Sequence, residues 1–462
     1  MATDVDPPPK IALGDDTMVL GTLNCLGEAV NPFEFLSETN FSGCTELQKA
    51  ADELTYEGFT EKCTADVLEG AAPPGGAEAL ARLKEHCDGG KHLWEFFDEP
   101  TLHSDNKLLS QRLNMITFSM KADGGAAPQW TLLETWTTAF ATLAPTSETY
   151  AKDANLWLWD LACNCVAASE PDAFKGICQS TYLNPSNFKA CAQAFWKAAA
   201  DVAAGRPLVL GLQEWPSGET GKGEAFRSVL ESSEFDMQVV AGDVSVAIAY
   251  KGMGLGKATL LDTSAAKEVM QQLLDEYEAR GEGLDAKMAK GCLDTTARKT
   301  MAVRFPDAPA PIAALTFVNI HAKEPKTAAA AKLLADYTVR VGARAAGGDA
   351  APRLVAFLDA NTAKQPIAEA FAAQLATHEL ETLPGSKVDT TAKMRSRLHG
   401  QTYDKNKCMK VVRAPKDALV APTGLMSAPV ITPDIKTLCS TALPSDIWAS
   451  DHALSLATLA CK

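Results

Sequence analysis

The chain has 462 residues, 46% hydrophobic and 22% charged, enough for a large buried core and more than one domain. Its net charge of −15 and pI near 5.0 exclude a protein that coats nucleic acid by bulk charge. They leave room for an enzyme acting on phosphate esters, because metal-binding carboxylates add negative charge, and no apolar run approaches the ~20 residues that span a bilayer.

Residues 1–16 carry Asp4, Asp6, Asp15, Asp16 and three prolines, with neither a basic start nor an apolar segment. They read as a short disordered tail rather than a secretory leader, which makes the cytoplasm the default location. Reduced thiols are then the default for the 12 cysteines. The one suggestive group, Cys163, Cys165, Cys178 and Cys191, lacks the paired spacing and nearby histidine of a zinc site.

Thr17 to Leu26, TMVLGTLNCL, reads as a buried strand ending at Asn24, and Pro32 breaks the extended pattern after it. Between residues 31 and 186 apolar residues recur at helical spacing, as in Ala77, Leu80, Ala81 and in Leu132, Leu133, Trp136, Phe140, Leu143. Gly/Pro-rich stretches interrupt them, and the segment reads as a mainly helical insertion with its own small core. It stands open as a cap, a partner-binding module or an embellishment. Departure beside Asn24 and return before Glu214 favour the cap.

Phe188 to Ala203 reads as an amphipathic helix, followed by the strand LVLGLQEWP, which delivers Gln213 and Glu214 at its end. Val239, Val240 and Val244 to Tyr250 suggest a hairpin. Lys267 to Ala289 reads as one charge-rich helix. Thr300 to Phe305 alternates as a strand, and Ala313 to Ile320 is a strand ending at His321. Thr327 to Val341 is an alanine-rich helix. Leu354 to Leu358 is a strand ending in Asp359-Ala360-Asn361, and Ile367 to Leu375 is helical. Val411 to Val420, broken by Pro415, suggests a strand pair or hairpin edge, and Ala453 to Leu459 is the last strand. Strands alternate with helices and several are apolar throughout, so both sheet faces are covered. The glycine-rich runs from Gly218 and from Lys251 match no phosphate-loop spacing and read as surface turns.

The strand ends present Asn24, Glu214, His321, Asp359, Asn361, Asp417, Asp451 and His452. Phosphodiester hydrolysis needs oxygen ligands for a hard cation, a base or orienting carboxylate for water, and donors around the phosphate. This set contains all three. The Asp-His pair near the end can make a general base, its carboxylate orienting the imidazole.

The pieces LNCLG, LGLQEWP, VAIAYK, TARKTMAVRF, FVNIHAKE, FLDANT, APKDALV and WASDHAL, in that order, resemble the endonuclease/exonuclease/phosphatase superfamily, which includes deoxyribonuclease-I-like nucleases. The resemblance covers Val19 to Gly27 and Phe188 to Cys461. It implies a four-layer α/β sandwich of two packed mixed β-sheets, with residues 17–30 and 187–462 as the catalytic domain. It implies Glu214, Asn24 and Asp451 as ligands of Mg²⁺ or Mn²⁺, and His321 and Asn361 as phosphate-oxygen donors. Asp359 and His452, the latter paired with Asp417, are alternative bases for the attacking water. Arg298 and, more distantly, Tyr250 stand where relatives place phosphate-binding groups. The expected activity is metal-dependent hydrolysis of phosphodiesters, foremost by a nuclease. A phosphatase or phosphodiesterase on a small or lipid-linked phosphate is the runner-up, and a silent scaffold whose insertion binds a protein partner is the rival class. The Trp-Cys-Asp-Arg element of inositol 5-phosphatases is absent.

Between Lys387 and Lys416 nine basic residues face two acidic ones, a local charge of 9 − 2 = +7. In an acidic chain this points to a polyanionic partner, nucleic acid among them.

Overall fold

The computed structural model describes residues 17–25, 53–62, 72–98, 154–170, 188–216, 221–242, 245–252, 254–347, 353–396, 409–427, 429–432 and 452–461, with 46, 49–50, 172 and 450. Two six-stranded sheets face each other. The first contains β1 (Thr17–Asn24), β2 (Leu208–Gln213), β3 (Gln238–Ala241), β4 (Val246–Lys251), β13 (Val430–Thr432) and β14 (Leu454–Ala460), in the order β13-β14-β1-β2-β4-β3. The second contains β5 (Thr259–Leu260), β6 (Thr300–Arg304), β7 (Leu315–His321), β8 (Arg353–Asp359), β9 (Leu380–Leu383) and β12 (Asp417–Pro422), in the order β5-β6-β7-β8-β12-β9. A separate two-stranded ribbon joins β10 (Thr391–Ser396) to β11 (Met409–Ala414).

Each large sheet is mixed and has one parallel pair among its described strands, β1 with β2 and β7 with β8. A parallel pair needs a crossover, and each has a helix in its connection. On the helix side of the first sheet lie α5 (Phe188–Ala203) and α6 (Gly221–Leu230), whose Phe195, Trp196 and Phe226 share a core with Val19, Leu210 and Leu212. On the helix side of the second lie α7 (Ala266–Ala279), α8 (Ala286–Gly291), α10 (Ala328–Ala345) and α11 (Gln365–Ala376), whose Met270, Leu273, Leu333 and Phe371 meet Val318, Ile320 and Leu358. The short α9 (Ala310–Ala313) precedes β7. Between the sheets Leu20, Val209, Ile248, Phe317, Val355, Phe357 and Leu419 form a third core. Successive residues of β2 thus enter different cores, Val209 the central one and Leu210 the outer one. This explains why the strand is apolar throughout. The result is the expected four-layer α/β sandwich.

Between β1 and α5 the described residues form α1 (Tyr56–Lys62), α2 (Gly76–Asp88), α3 (Leu93–Asp98) and α4 (Ala154–Ser169). Phe59, Leu83, Leu158 and Leu161 are buried there, and Arg82 donates to Asn155 at 3.2 Å. The helical pattern expected around Leu132 to Leu143 lies outside the described residues.

Two local expectations are corrected. Lys267 to Ala289 is two helices, because Gly281, at φ 75°, ends α7 in a left-handed turn and Asp285 caps a new helix by accepting from the Met288 amide. Val411 to Val420 is not a hairpin: Pro415 separates β11, which pairs with β10, from β12, which enters the second sheet between β8 and β9. Helix α6 and the short strands β3, β5, β9 and β13 complete the sheets and their cover; of these only β3 is legible in the sequence.

Candidate active site

The catalytic candidates meet where strand ends of both sheets converge. In the parallel pairs Asn24 is in register with Gln213, just before Glu214, and His321 is in register with Asp359. The antiparallel partner β12 begins with Asp417 opposite Asp359. The isolated bridge between Thr391 and His452, just ahead of β14, brings in the last member.

The two sheets are pegged at this end by amides rather than by hydrocarbon. Gln213 donates to Asn319 at 2.6 Å and to Thr22 at 3.1 Å, and Asn319 donates to the Leu212 and Ala247 carbonyls at 2.9 and 2.8 Å. All three side chains are buried, so each bond is strong and each loss is costly. The approach is close nearby: a Cβ on Gly211 would lie 2.1 Å from Phe357 Cβ.

Asn24 is the hub of the cluster. Its amide nitrogen donates to Glu214 Oε1 and to Asp359 Oδ2, each at 3.0 Å, holding two carboxylates together at one point. Glu214 takes φ 45°, a left-handed backbone that costs a non-glycine residue on the order of 1 kcal/mol. The next residue, Trp215, anchors that turn among Trp196 and Phe226 at centroid distances of 6.4 and 6.3 Å. Asn361 is also left-handed, at φ 50°, and its backbone and side-chain nitrogens both donate to Asp359, at 3.0 and 3.1 Å. Its amide also reaches the Ala322 carbonyl at 2.9 Å, which ties the end of β8 to the end of β7.

The two histidines are held in opposite senses. His452 Nδ1 lies 3.0 and 2.9 Å from the two oxygens of Asp417, so this nitrogen carries the hydrogen and Nε2 offers its lone pair. That Nε2 lies 3.9 Å from Asp359 Oδ2. His321 Nδ1 instead meets the Lys299 ammonium at 3.4 Å, and an ammonium can only donate. His321 Nε2 therefore carries the hydrogen, facing Glu214 Oε1 at 3.7 Å and Asp359 Oδ2 at 3.8 Å. One imidazole is set to accept a proton and the other to donate a hydrogen bond.

Burial pushes the Asp359 carboxyl up, but the positive charge that His452 and His321 carry when protonated, together with Lys416 and the Asn24 amide, outweighs it and holds the group below the usual carboxylate value. Burial raises Asp417 and is only partly countered by its bond to His452. Thr390 supports Asp417 from behind, its hydroxyl accepting from the amides of Lys416 and Asp417 at 3.0 and 2.9 Å. Ser450 donates to the Asn24 carbonyl at 2.6 Å and accepts from the His452 amide at 3.1 Å, linking distant parts of the chain at the site.

Two overlapping groups could hold a cation, Glu214 with His321 and Asp359, and Asp359 with Asp417 and His452, their ligand atoms lying within 4.8 Å of one another. The first offers carboxylate oxygens and one imidazole, and two carboxylates facing one amide suit a hard divalent ion. With Asp417 committed to His452, the second group is better fitted to proton transfer.

Of the expected residues, Asn24, Glu214, His321, Asp359, Asn361, Asp417 and His452 are brought together. Asp451 lies outside the described residues. Arg298 is exposed on the turn before β6, and its neighbour Lys299 is the residue that meets His321. Tyr250 is not brought to the cluster. Its register partner is Val209, near the opposite end of β2 from Gln213. Its hydroxyl is engaged there with Gln238 at 2.6 Å and the Ala258 amide at 3.0 Å. Lys299 and Thr390 were not singled out from the sequence, and Lys416 and Ser450 entered only as members of the basic stretch and of WASDHAL. Lys299 carried a signal, as a cation directly before a strand antiparallel to the one ending in His321. Thr390 and Ser450 carried none, since their roles rest on contacts between distant segments.

No protein-family model matches the chain, and no curated protein matches it. Among solved structures it is similar to the crystal structure of an endonuclease/exonuclease/phosphatase from Beutenbergia cavernae DSM 12333, at 14% sequence identity and a TM-score of 0.31. That match covers 59% of this chain and 66% of the other, just under two thirds of its length.

Proposed function

We propose that the chain is a divalent-metal-dependent phosphoesterase that hydrolyses phosphodiester bonds by attack of an activated water, and that it is a nuclease. The observation carrying this reading is the pair of histidines whose Nε2 atoms lie 3.8 and 3.9 Å from Asp359 Oδ2, one with its Nδ1 against Lys299 and the other with its Nδ1 against Asp417. A phosphodiester needs a base on the side where water attacks and a donor on the oxygens that gain charge.

Glu214 and Asn24, with Asp451, would hold Mg²⁺ or Mn²⁺, and the ion when bound supplies charge neutralisation at the phosphate. His452 takes the proton from water at Nε2, and Asp417 stabilises the imidazolium so formed. Asp359, kept ionised by its neighbours, orients the water. His321 donates to a phosphate oxygen, and Asn361, whose amide hydrogens go to Asp359 and the Ala322 carbonyl, positions Asp359. The buried amide pegs keep both halves of this arrangement aligned.

The test compares wild type, His452→Ala and Asp417→Asn on bis-p-nitrophenyl phosphate, single-stranded DNA and RNA, with Mg²⁺, Mn²⁺ or EDTA. Wild type cleaves only with metal. Loss of the base costs about 10²–10⁴ in rate. Asp417→Asn keeps the shape but lets an amide donate to Nδ1, which moves the hydrogen to Nε2, and it loses most of that factor too. Cleavage by His452→Ala at the wild-type rate, or no cleavage of any substrate with metal bound, refutes the reading.

A further inference from the structure

Lys299 stands directly across from His321. The register of β6 on β7, with Met301 opposite Asn319 and Thr300 opposite Ile320, puts it there one step further on. The His321 amide donates to the Lys299 carbonyl at 3.0 Å, so the pairing continues past the first residue of β6. Residues directly opposite in an antiparallel pair share a face, and that face recurs every second residue. Met301, Val303 and Phe317 of this face pack between the sheets, whereas Ala302, Val318 and Ile320 of the other pack under the helices. Lys299 therefore belongs with His321 to the face turned toward the first sheet. Its ammonium lies 3.4 Å from His321 Nδ1, while the preceding Arg298 is exposed.

The chain reaches this position through an uncommon turn. Cys292–Thr296 is a π-helix, closed by the Ala297 amide on the Cys292 carbonyl at 3.0 Å, and the Lys299 amide then returns to the Thr295 carbonyl at 2.9 Å. Such turns are rare and gather at functional sites. This one is tied down on both sides. The Thr300 hydroxyl donates to the Thr296 carbonyl at 2.7 Å and meets the Tyr337 hydroxyl of α10 at 3.0 Å. The Thr296 hydroxyl accepts from the Lys323 amide at 2.9 Å, two residues past His321. Thr296, Thr300 and Tyr337 are all buried, so these bonds fix the backbone that carries Lys299.

An ammonium has hydrogens to give and no lone pair, so it meets Nδ1 as a donor. It draws electron density out of the ring and makes the hydrogen on Nε2 more positive, because linked hydrogen bonds polarise one another where water is excluded. His321 is 7% exposed and Asp359, which its Nε2 faces, is 1% exposed. A strengthened donor matters most where negative charge grows during the reaction. From this pairing we infer that Lys299 is a positioning residue of the reaction, which keeps His321 Nδ1 an acceptor and strengthens Nε2–H as a donor rather than binding the substrate itself. The inference rests on the phosphoesterase reading for the anion that His321 meets.

The experiment uses the full chain with Lys299→Met, Lys299→Arg, His321→Ala and the combination of Lys299→Met with His321→Ala. Hydrolysis of bis-p-nitrophenyl phosphate with Mn²⁺ gives kcat and KM. Nitrogen-15 spectra in EDTA report which ring nitrogen of His321 carries the hydrogen, its signals being identified by their loss in His321→Ala. Removing an anion-stabilising donor outright costs about 10²–10³ in kcat, which is the effect expected of His321→Ala. Lys299→Met leaves the imidazole in place and loses part of that factor, about 10-fold in kcat with KM within about twofold, and the Nδ1 signal moves. Lys299→Arg, which keeps a charged donor, returns kcat to within about threefold of wild type and restores the signal. In the His321→Ala background Lys299→Met costs less than about twofold more, because a residue acting through His321 has nothing left to act on. Factors that multiply in the combined variant, or an effect confined to KM, put Lys299 on the substrate and overturn the inference. So does a His321 spectrum that Lys299→Met leaves unchanged. If wild type cleaves no ester with metal bound, the phosphoesterase reading fails and takes the inference with it. If wild type cleaves and Lys299→Met keeps its kcat, the inference fails alone.

Discussion

Replacing Asn24 by Asp exchanges the hub of the cluster for a third charge. The Asn24 nitrogen lies 3.0 Å from both Glu214 Oε1 and Asp359 Oδ2, and the residue is 1% exposed. Two like charges at that separation repel by about 5 kcal/mol at an effective dielectric of about 20, so two such contacts set a ceiling near ~10 kcal/mol. Protonating one carboxyl is cheaper. Holding a group of ordinary pKa near ~4 protonated at pH 7 costs about three pH units, or ~4 kcal/mol. The variant therefore folds with an extra proton and loses about 4 kcal/mol at pH 7, a fall in Tm of roughly 4–7 °C for a chain of this size. Because the folded state then binds more protons than the unfolded one, the deficit shrinks by about 1.4 kcal/mol for each unit that pH is lowered toward ~4. Mn²⁺ replaces the proton and recovers stability, ~2.7 kcal/mol at about a hundredfold excess over Kd. The assay is thermal denaturation in EDTA at pH 7 and 5.5, then with Mn²⁺, with Asn24→Ala as the uncharged control. An Asn24→Asp variant as stable as wild type in EDTA means that the carboxylates are not held at this point. A deficit that neither acid nor Mn²⁺ relieves means that they cannot share a cation.

Packing and surface charge each give one further expected outcome. In Gly211→Ala the new Cβ meets Phe357 Cβ at 2.1 Å, where ordinary contact begins near 3.4 Å, so the sheets must part by about 1 Å. Overpacking of this kind costs ~1–3 kcal/mol, and turnover falls with it because Glu214 lies on the same strand end; a Tm within about 1 °C of wild type contradicts the close approach. The Arg340 guanidinium, bonded to both Glu276 oxygens at 2.6 Å, holds the Glu276 carboxyl below the usual glutamate value. Its contribution is present above the unfolded-state value and is lost as pH falls through the lower folded one. Both side chains are 42% exposed, so the contribution is under ~1 kcal/mol. Glu276→Gln should flatten the Tm–pH curve slightly below about pH 5, and identical curves for the two proteins would show that the pair contributes nothing.

The strands flanking the site were legible because each is mostly apolar and ends in a polar residue, as Leu208–Gln213 and Leu315–His321 do. Helix α5 was legible to its ends because Phe195, Trp196 and Ala199 recur at helical spacing between a polar start and Gly205. What the sequence concealed was partnership. Nothing in Met409–Pro422 tells that its two halves belong to different sheets, because pairing depends on β8, β9 and β10 elsewhere in the chain. β9 and β5 were missed because short edge strands with half-exposed residues have too few apolar positions for a period to register. The same holds within the site. Asp417 and His452 could be suspected singly, but the tautomer of each histidine depends on a neighbour contributed by another strand. The left-handed backbones of Glu214 and Asn361 likewise come from their surroundings and not from residue type.

The pairing of β1 with β14 sets the order in which the candidate site is assembled. Thr17 lies opposite Ala460, so β1 finds one of its two neighbours only when β14 has emerged from the ribosome. His452 arrives with that same strand, and Ser450 joins it to Asn24. On the proposed mechanism, a nascent chain holding Glu214, His321 and Asp359 therefore still lacks its proton acceptor. Translation, at roughly 5–20 residues per second, withholds it while every other strand of the two sheets is already made. The cluster is complete only when the first sheet is completed, so under the proposed function a product truncated ahead of β14 would be silent however well its remaining strands had folded.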